Sequence, residues 1–247
     1  MSSLQGKTVL LTGAARRIGA VVAKTLHQAG ADIVIHYRNS SEDAKLLVVE
    51  LNTERPNSAF TVQADLCQVE AFDELITQVI SFTGQLDVLI NNASSFYPTK
   101  VGSVTEKQWD DLQCSNLKAP FFLSQAVAPE LKSRQGCIIN MVDIHGIRPL
   151  KGYPVYSSAK AGLIMLTQSL AKELAPEIRV NGIAPGIIMW PEDDANDESQ
   201  AELLARTALK RQGTPENIAK AILFLIRDAS YTTGHVIPVD GGRTLNQ

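Results

Sequence analysis

The feature that most constrains this chain is a regular alternation of short β-branched runs with helix-length intervals. Runs at Thr8–Thr12, Asp32–Tyr37, Ala59–Ala64, Val88–Asn91, Cys137–Met141, Ile178–Ile183 and Val236–Val239 read as strands, and helical segments lie between them. A strand that feeds a helix returns as a parallel neighbour with right-handed crossover. Seven such runs therefore predict an α/β fold, doubly wound on a parallel seven-stranded sheet, with ligands at the carboxyl ends of the strands. A sheet of this kind with helices on both faces commonly uses about 250 residues as one unit, so residues 1–247 are expected to form a single domain.

Composition narrows the function classes. With 23 basic and 26 acidic side chains the formal net charge is −3, which points away from nucleic acid. Cys67, Cys114 and Cys137 are far apart and lack C-x-x-C spacing, so neither a zinc site nor a disulfide framework is expected. No pair among the four histidines has ligand spacing, and no metal is expected. Met1 to Lys7 lacks a basic region followed by an apolar stretch, and the longest apolar runs are short, so the protein reads as cytoplasmic. Residues 187–212 break the strand–helix rhythm. Ile187 to Ser199 reads as a mobile acidic loop that could cover a ligand, or as a plain solvated one.

The first strand runs into Thr12-Gly13-Ala14-Ala15-Arg16-Arg17-Ile18-Gly19 and then a helical stretch, Ala20 to Ala29. Gly13 suits a tight turn, Gly19 lets the helix approach the sheet, and the free N–H groups at the helix start suit a pyrophosphate. This is a Rossmann-type dinucleotide turn. At the end of the second strand, His36-Tyr37-Arg38-Asn39-Ser40 has no carboxylate to accept the adenosine ribose hydroxyls of NAD. Arg38, Ser40 and Arg17 offer donors to a 2′-phosphate instead, so NADPH is the expected cofactor. Asp65 and Leu66 end the third strand, where Asp65 could bond the adenine. Asn92, Ala93 and Ser94 follow the fourth, with small residues that let the backbone come close; an ordinary Asx turn is the plainer alternative.

Tyr156 and Lys160 lie four residues apart in a segment that continues as helix to about Leu174, so they share a helical face. An ammonium beside a phenol stabilises the phenolate, which predicts a Tyr156 pKa lowered toward neutrality. The ordered set Thr12-Gly13 with Gly19, Asn91-Asn92-Ala93, Asn116, Tyr156 with Lys160, Pro185-Gly186 and Asp240-Gly241-Gly242 resembles the short-chain dehydrogenase/reductases over essentially the whole chain. The resemblance implies that Tyr156 donates a proton as hydride arrives, that Lys160 also holds the nicotinamide ribose, that Asn116 supports a relay water, and that Pro185 and Gly186 line the cofactor. It also implies a homotetramer.

Two departures from the general family stand out. Asp143 occupies the place of the usual serine on the strand before the tyrosine, and Arg17 stands where most relatives carry glycine. Both resemble the pteridine reductases, as do Asn91 to Pro98, Asn116 to Pro120, and Gly152-Tyr153. That narrower resemblance implies reduction of a pterin, within folate metabolism, by an Asp143, Tyr156 and Lys160 set. Protonating a ring nitrogen suits a carboxyl beside a phenol. Phe96 could stack on the bicycle opposite the nicotinamide, with Arg17 and Ser94 as polar contacts. A structural carboxylate at Asp143 and a core aromatic at Phe96 are the plainer readings. The competing functions are a carbonyl reductase acting on 3-oxoacyl thioesters and an NADP-sensing binding protein without catalysis.

Overall fold

The computed structural model describes residues 3–190 and 197–245. The strands are β1 (Thr8–Leu11), β2 (Asp32–Tyr37), β3 (Ala59–Gln63), β4 (Val88–Asn91), β5 (Cys137–Met141), β6 (Arg179–Pro185) and β7 (Val236–Val239). They form one parallel seven-stranded sheet in the order β3-β2-β1-β4-β5-β6-β7, the doubly wound Rossmann-type arrangement expected. The helices are α1 (Arg17–Gln28), α2 (Ser41–Glu54), α3 (Phe72–Thr83), α4 (Glu106–Gln113), α5 (Ala119–Ser133), α6 (Pro154–Glu173), α7 (Asp197–Ala205) and α8 (Pro215–Arg227).

Both faces of the sheet are covered, which is why the strands read as nearly unbroken apolar runs. Val9, Leu11, Ile33, Ile35 and Ile90 pack on one face with Val22 and Leu26 of α1, Leu47 of α2 and Ile222 of α8. Leu10, Val34, Leu89 and Ile138 alternate to the other face and meet Leu75 and Val79 of α3, Leu123 and Val127 of α5, and Leu170 of α6. Strand order reverses between β1 and β4. The crevice at the carboxyl ends of those two strands is where a sheet of this topology places its ligand.

Two expectations are corrected. Within 187–212, the stretch from Asp197 to Ala205 is helix α7 rather than loop, and residues 191–196, with most of the acidic run, lie outside the described residues. Cys67 and Cys114 are joined as a disulfide, their Cα atoms 5.7 Å apart, whereas their spacing suggested none. Local spacing registers only sequence neighbours. Here α3 and α5 pack on the same sheet face, and that brings the turn before α3 against the turn before α5. Cys137 is a buried free thiol. Among the described residues no helix is long and apolar enough to cross a membrane.

Candidate active site

At the crevice, the turns after β1 and β4 are laced together. Thr12 Oγ1 accepts the N–H groups of Asn92 and Ala93 at 2.9 and 3.0 Å, and Asn92 Nδ2 donates to the carbonyls of Thr12 and Gly13 at 2.8 and 3.0 Å. Gly13 has φ +60°, and a Cβ there would lie 2.8 Å from Ala93 Cα; a Cβ on Gly19 would lie 2.8 Å from Ala14 Cα. These glycines are required by the close approach of backbone to backbone. Gly186, past Pro185 at the end of β6, packs as tightly on Asp240, 2.6 Å from a would-be Cβ. Ile18 sits half-buried behind the phosphate turn against the core.

His36 lies under this turn rather than lining it. Its Nδ1 accepts the Gly13 N–H at 3.2 Å and its Nε2 meets the Ala64 carbonyl at 3.0 Å. Acceptance at Nδ1 requires the neutral ring with the proton on Nε2. Burial pushes its pKa down to about 4, so the ring is neutral at physiological pH. Beyond it, Arg38, Asn39, Gln63, Ala64 and Asp65 line an open cleft of about 540 Å³ at the carboxyl ends of β2 and β3. Arg38 is exposed there, Ser40 stands at the start of α2, and Asp65 Oδ1 caps its own turn by accepting the Cys67 N–H at 3.0 Å. Tyr37 and Leu66, the neighbours of Arg38 and Asp65 in sequence, are buried. A glycine-built phosphate turn leading to a cleft with an exposed arginine and no opposing carboxylate on β2 fits a dinucleotide with a 2′-phosphate.

Arg17 shows why this turn departs from its relatives. Its φ is 54°, the left-handed region that glycine adopts freely, yet it carries a full side chain that donates to the Trp190 carbonyl at 3.3 Å. The guanidinium thus links the phosphate turn to the segment after β6.

The catalytic candidates converge at the end of β5. Asp143 accepts the His145 N–H on Oδ1 at 2.8 Å and the Tyr156 hydroxyl on Oδ2 at 2.9 Å, so the structural and the chemical readings of this carboxylate hold together. Lys160, buried on the next turn of α6, donates to the Met141 carbonyl at 2.8 Å, and its Nζ lies 5.7 Å from the Tyr156 ring centroid. The expected lowering of the Tyr156 pKa is reversed. Burial and then the Asp143 charge hold it well above the ordinary phenol value. Burial also draws Lys160 down to about 8, against the pull of Asp143.

Asn116 sits in a π turn, Cys114–Lys118, between α4 and α5. Its Oδ1 accepts from Ser94 Oγ at 2.7 Å, and its Nδ2 donates to the carbonyls of Ser95 and Leu112, each at 3.0 Å. The side chain is therefore engaged with protein. Pro120, four residues on, has no N–H to make the usual helical bond to the Asn116 carbonyl. Phe96 is 46% exposed, stacks on Tyr153 at 4.7 Å between centroids, and meets Tyr156 edge-on at 4.8 Å. Tyr153 was not among the residues singled out for a role. Its i−3 spacing from Tyr156 was the available signal.

The family model described as enoyl-(acyl carrier protein) reductase matches residues 13–244. Pteridine reductase 1 of Leishmania tarentolae is 38% identical over 279 residues, covering 96% of each chain. The 3-oxoacyl-[acyl-carrier-protein] reductase FabG of Staphylococcus aureus (strain Mu50) is 38% identical over 240 residues, covering 96% of this chain and 97% of its own. The crystal structure of a putative short-chain alcohol dehydrogenase from Sinorhizobium meliloti 1021 superposes with a TM-score of 0.94 at 31% identity, covering 99% of both chains. With the doubly wound sheet, the glycine turn and the Tyr156/Lys160 pair, these similarities place the chain in the short-chain dehydrogenase/reductase superfamily, as an NADP(H)-dependent oxidoreductase.

Proposed function

We propose that the protein reduces a pterin with NADPH, converting a dihydropterin to a tetrahydropterin and extending to oxidised pterin or dihydrofolate. The observation that carries this reading is the 2.9 Å hydrogen bond from Tyr156 to Asp143, a carboxyl where carbonyl-reducing relatives hold a serine. Bound NADPH supplies the hydride. Arg38 and Ser40 would hold its 2′-phosphate end, the Gly13–Gly19 turn and the backbone at Asn92 to Ser94 its phosphates and ribose, and Lys160 the nicotinamide ribose near Pro185 and Gly186.

The chemistry of the protein is proton delivery. A phenol kept well above its ordinary pKa by burial and a neighbouring carboxylate is a weak acid, and leaving it as phenolate beside Asp143 would be costly. A proton relayed from solvent through the water at Asn116 resolves this: it reaches Tyr156 Oη as Tyr156 passes its own to the ring nitrogen, with Asp143 holding the phenol in place. Phe96 offers its open face to the pterin ring, backed by Tyr153, with Arg17 and Ser94 as polar contacts. The Asn116 carbonyl positions a water that reconnects the site to solvent.

Asp143→Asn and Asp143→Ser test this assignment. Both are expected to bind NADPH as the wild type does and to lose about 10²-fold or more of pterin kcat. Full pterin turnover by Asp143→Asn would remove the carboxyl from the mechanism. An efficient 3-oxoacyl thioester activity in the wild type, without pterin turnover, would favour the carbonyl-reductase reading that the FabG similarity supports.

A further inference from the structure

The disulfide between Cys67 and Cys114 joins the two turns that flank the cofactor crevice. Cys67 is the third residue of the turn built by Asp65, whose Oδ1 accepts the Cys67 N–H at 3.0 Å and whose carbonyl accepts the Gln68 N–H at 2.9 Å. That turn forms one wall of the cleft lined by Arg38 and Asp65. Cys114 opens the π turn, and its carbonyl accepts the Ala119 N–H that closes it. Two residues on, Asn116 is held by Ser94, Ser95 and Leu112. The bridge therefore ties the adenosine end of the crevice to the element that carries Asn116, across 47 residues of sequence.

Both cysteines are only half-buried, whereas the third, Cys137, is 2% exposed and has its thiol pushed up to about 11 by burial. Accessibility and pairing single out one reactive pair. The Cα separation of 5.7 Å lies in the ordinary range for a bridge, so the backbone accommodates the bond where it stands.

We propose that Cys67 and Cys114 are a reversible thiol–disulfide modification site whose closure fixes the adenosine-side wall and so raises affinity for NADPH. The co-reactant is a low-molecular-weight disulfide of the glutathione class. One cysteine thiolate attacks its sulfur, its S–S bond breaks, and one small thiol leaves. The other cysteine attacks the mixed disulfide and expels the second small thiol. Two protein thiols are thereby oxidised by two electrons, and one small disulfide is reduced to two thiols, which take up the two protons. Excess small thiol runs the sequence backwards. The affinity gain comes from preorganisation: a turn already held in its binding shape loses less freedom when the nucleotide arrives.

The full-length protein is equilibrated in buffers of graded oxidised-to-reduced glutathione ratio, and each sample is divided between non-reducing peptide mapping and kinetics. The expected result is a Cys67–Cys114 cross-linked peptide that forms and disappears with the ratio, with Cys137 left as thiol throughout. The bridged form should show an NADPH KM and Kd lower by about threefold or more, while kcat changes by less than about twofold. Cys67→Ser and Cys114→Ser, prepared separately, should each match the reduced wild type at every ratio. Failure of the cross-link to form at any ratio overturns the proposal. So does a bridged form whose NADPH KM and Kd equal those of the dithiol form, or a serine variant that still responds to the ratio.

Discussion

Asp143 and Tyr156 hold one another at 2.9 Å. Burial and then the Asp143 charge keep the phenol well above its ordinary pKa, and the His145 N–H fixes the carboxyl's other oxygen. His36 makes a second residue-scale case, because one neutral ring props both the phosphate turn and the end of β3. Its folded pKa of about 4 lies below the ordinary 6.5, so between those values the unfolded chain binds more protons. Stability is therefore expected to fall as pH drops from about 6.5 towards 4, and NADPH affinity with it, since a protonated Nδ1 cannot accept the Gly13 N–H. Denaturant titrations and cofactor binding across that range check this. His36→Gln, which has no charge to gain, should flatten the stability slope; an unchanged slope would assign the effect to another group.

At the scale of elements, two arginines of the crevice, Arg17 on the phosphate turn and Arg38 just past β2, have separable tasks. Arg17 holds a left-handed backbone that costs a non-glycine residue roughly 1–2 kcal/mol, so Arg17→Gly should raise unfolding stability by up to about that amount while weakening NADPH binding. Arg38→Asp should place a carboxylate against the 2′-phosphate and shift preference from NADPH towards NADH by about tenfold or more. Equal catalytic efficiencies with the two cofactors in the wild type would move the phosphate site elsewhere. Much of this level was legible in the sequence. β2, β4 and β5 lie where their β-branched runs put them, because strands buried on both faces leave an uninterrupted apolar signature, and the half-buried edge strand β7 matches its run as well. The glycine turn was legible because only glycine permits the approach of Gly13 to Ala93. What stayed hidden depends on three-dimensional neighbours. The raised Tyr156 pKa follows from burial of the phenol and then from the Asp143 charge, the stacking of Tyr153 on Phe96 follows from loop shape, and the Cys67–Cys114 bond follows from two helices sharing a face.

At the scale of the whole molecule, α4, α5 and α6 leave large apolar side chains facing out: Trp109, Phe121 and Met165. An apolar surface of this kind on adjacent helices is what the homotetramer implied by the family resemblance would bury. Sedimentation equilibrium should give about four times the 26.8 kDa chain mass, and a monomer at micromolar concentration would refute the assembly. The same frame carries relatives with different substrates at equal identity, so fold and cofactor do not by themselves choose the reaction. On the proposed reading that choice rests on Asp143, Phe96 and the loops around them. The most direct test is a steady-state comparison of oxidised pterin, dihydropterin, dihydrofolate and a 3-oxoacyl thioester, each with NADPH and wild-type enzyme. The pterin reading predicts the highest kcat/KM for a dihydropterin, exceeding the thioester by at least about tenfold; efficient thioester reduction with no pterin turnover would contradict it.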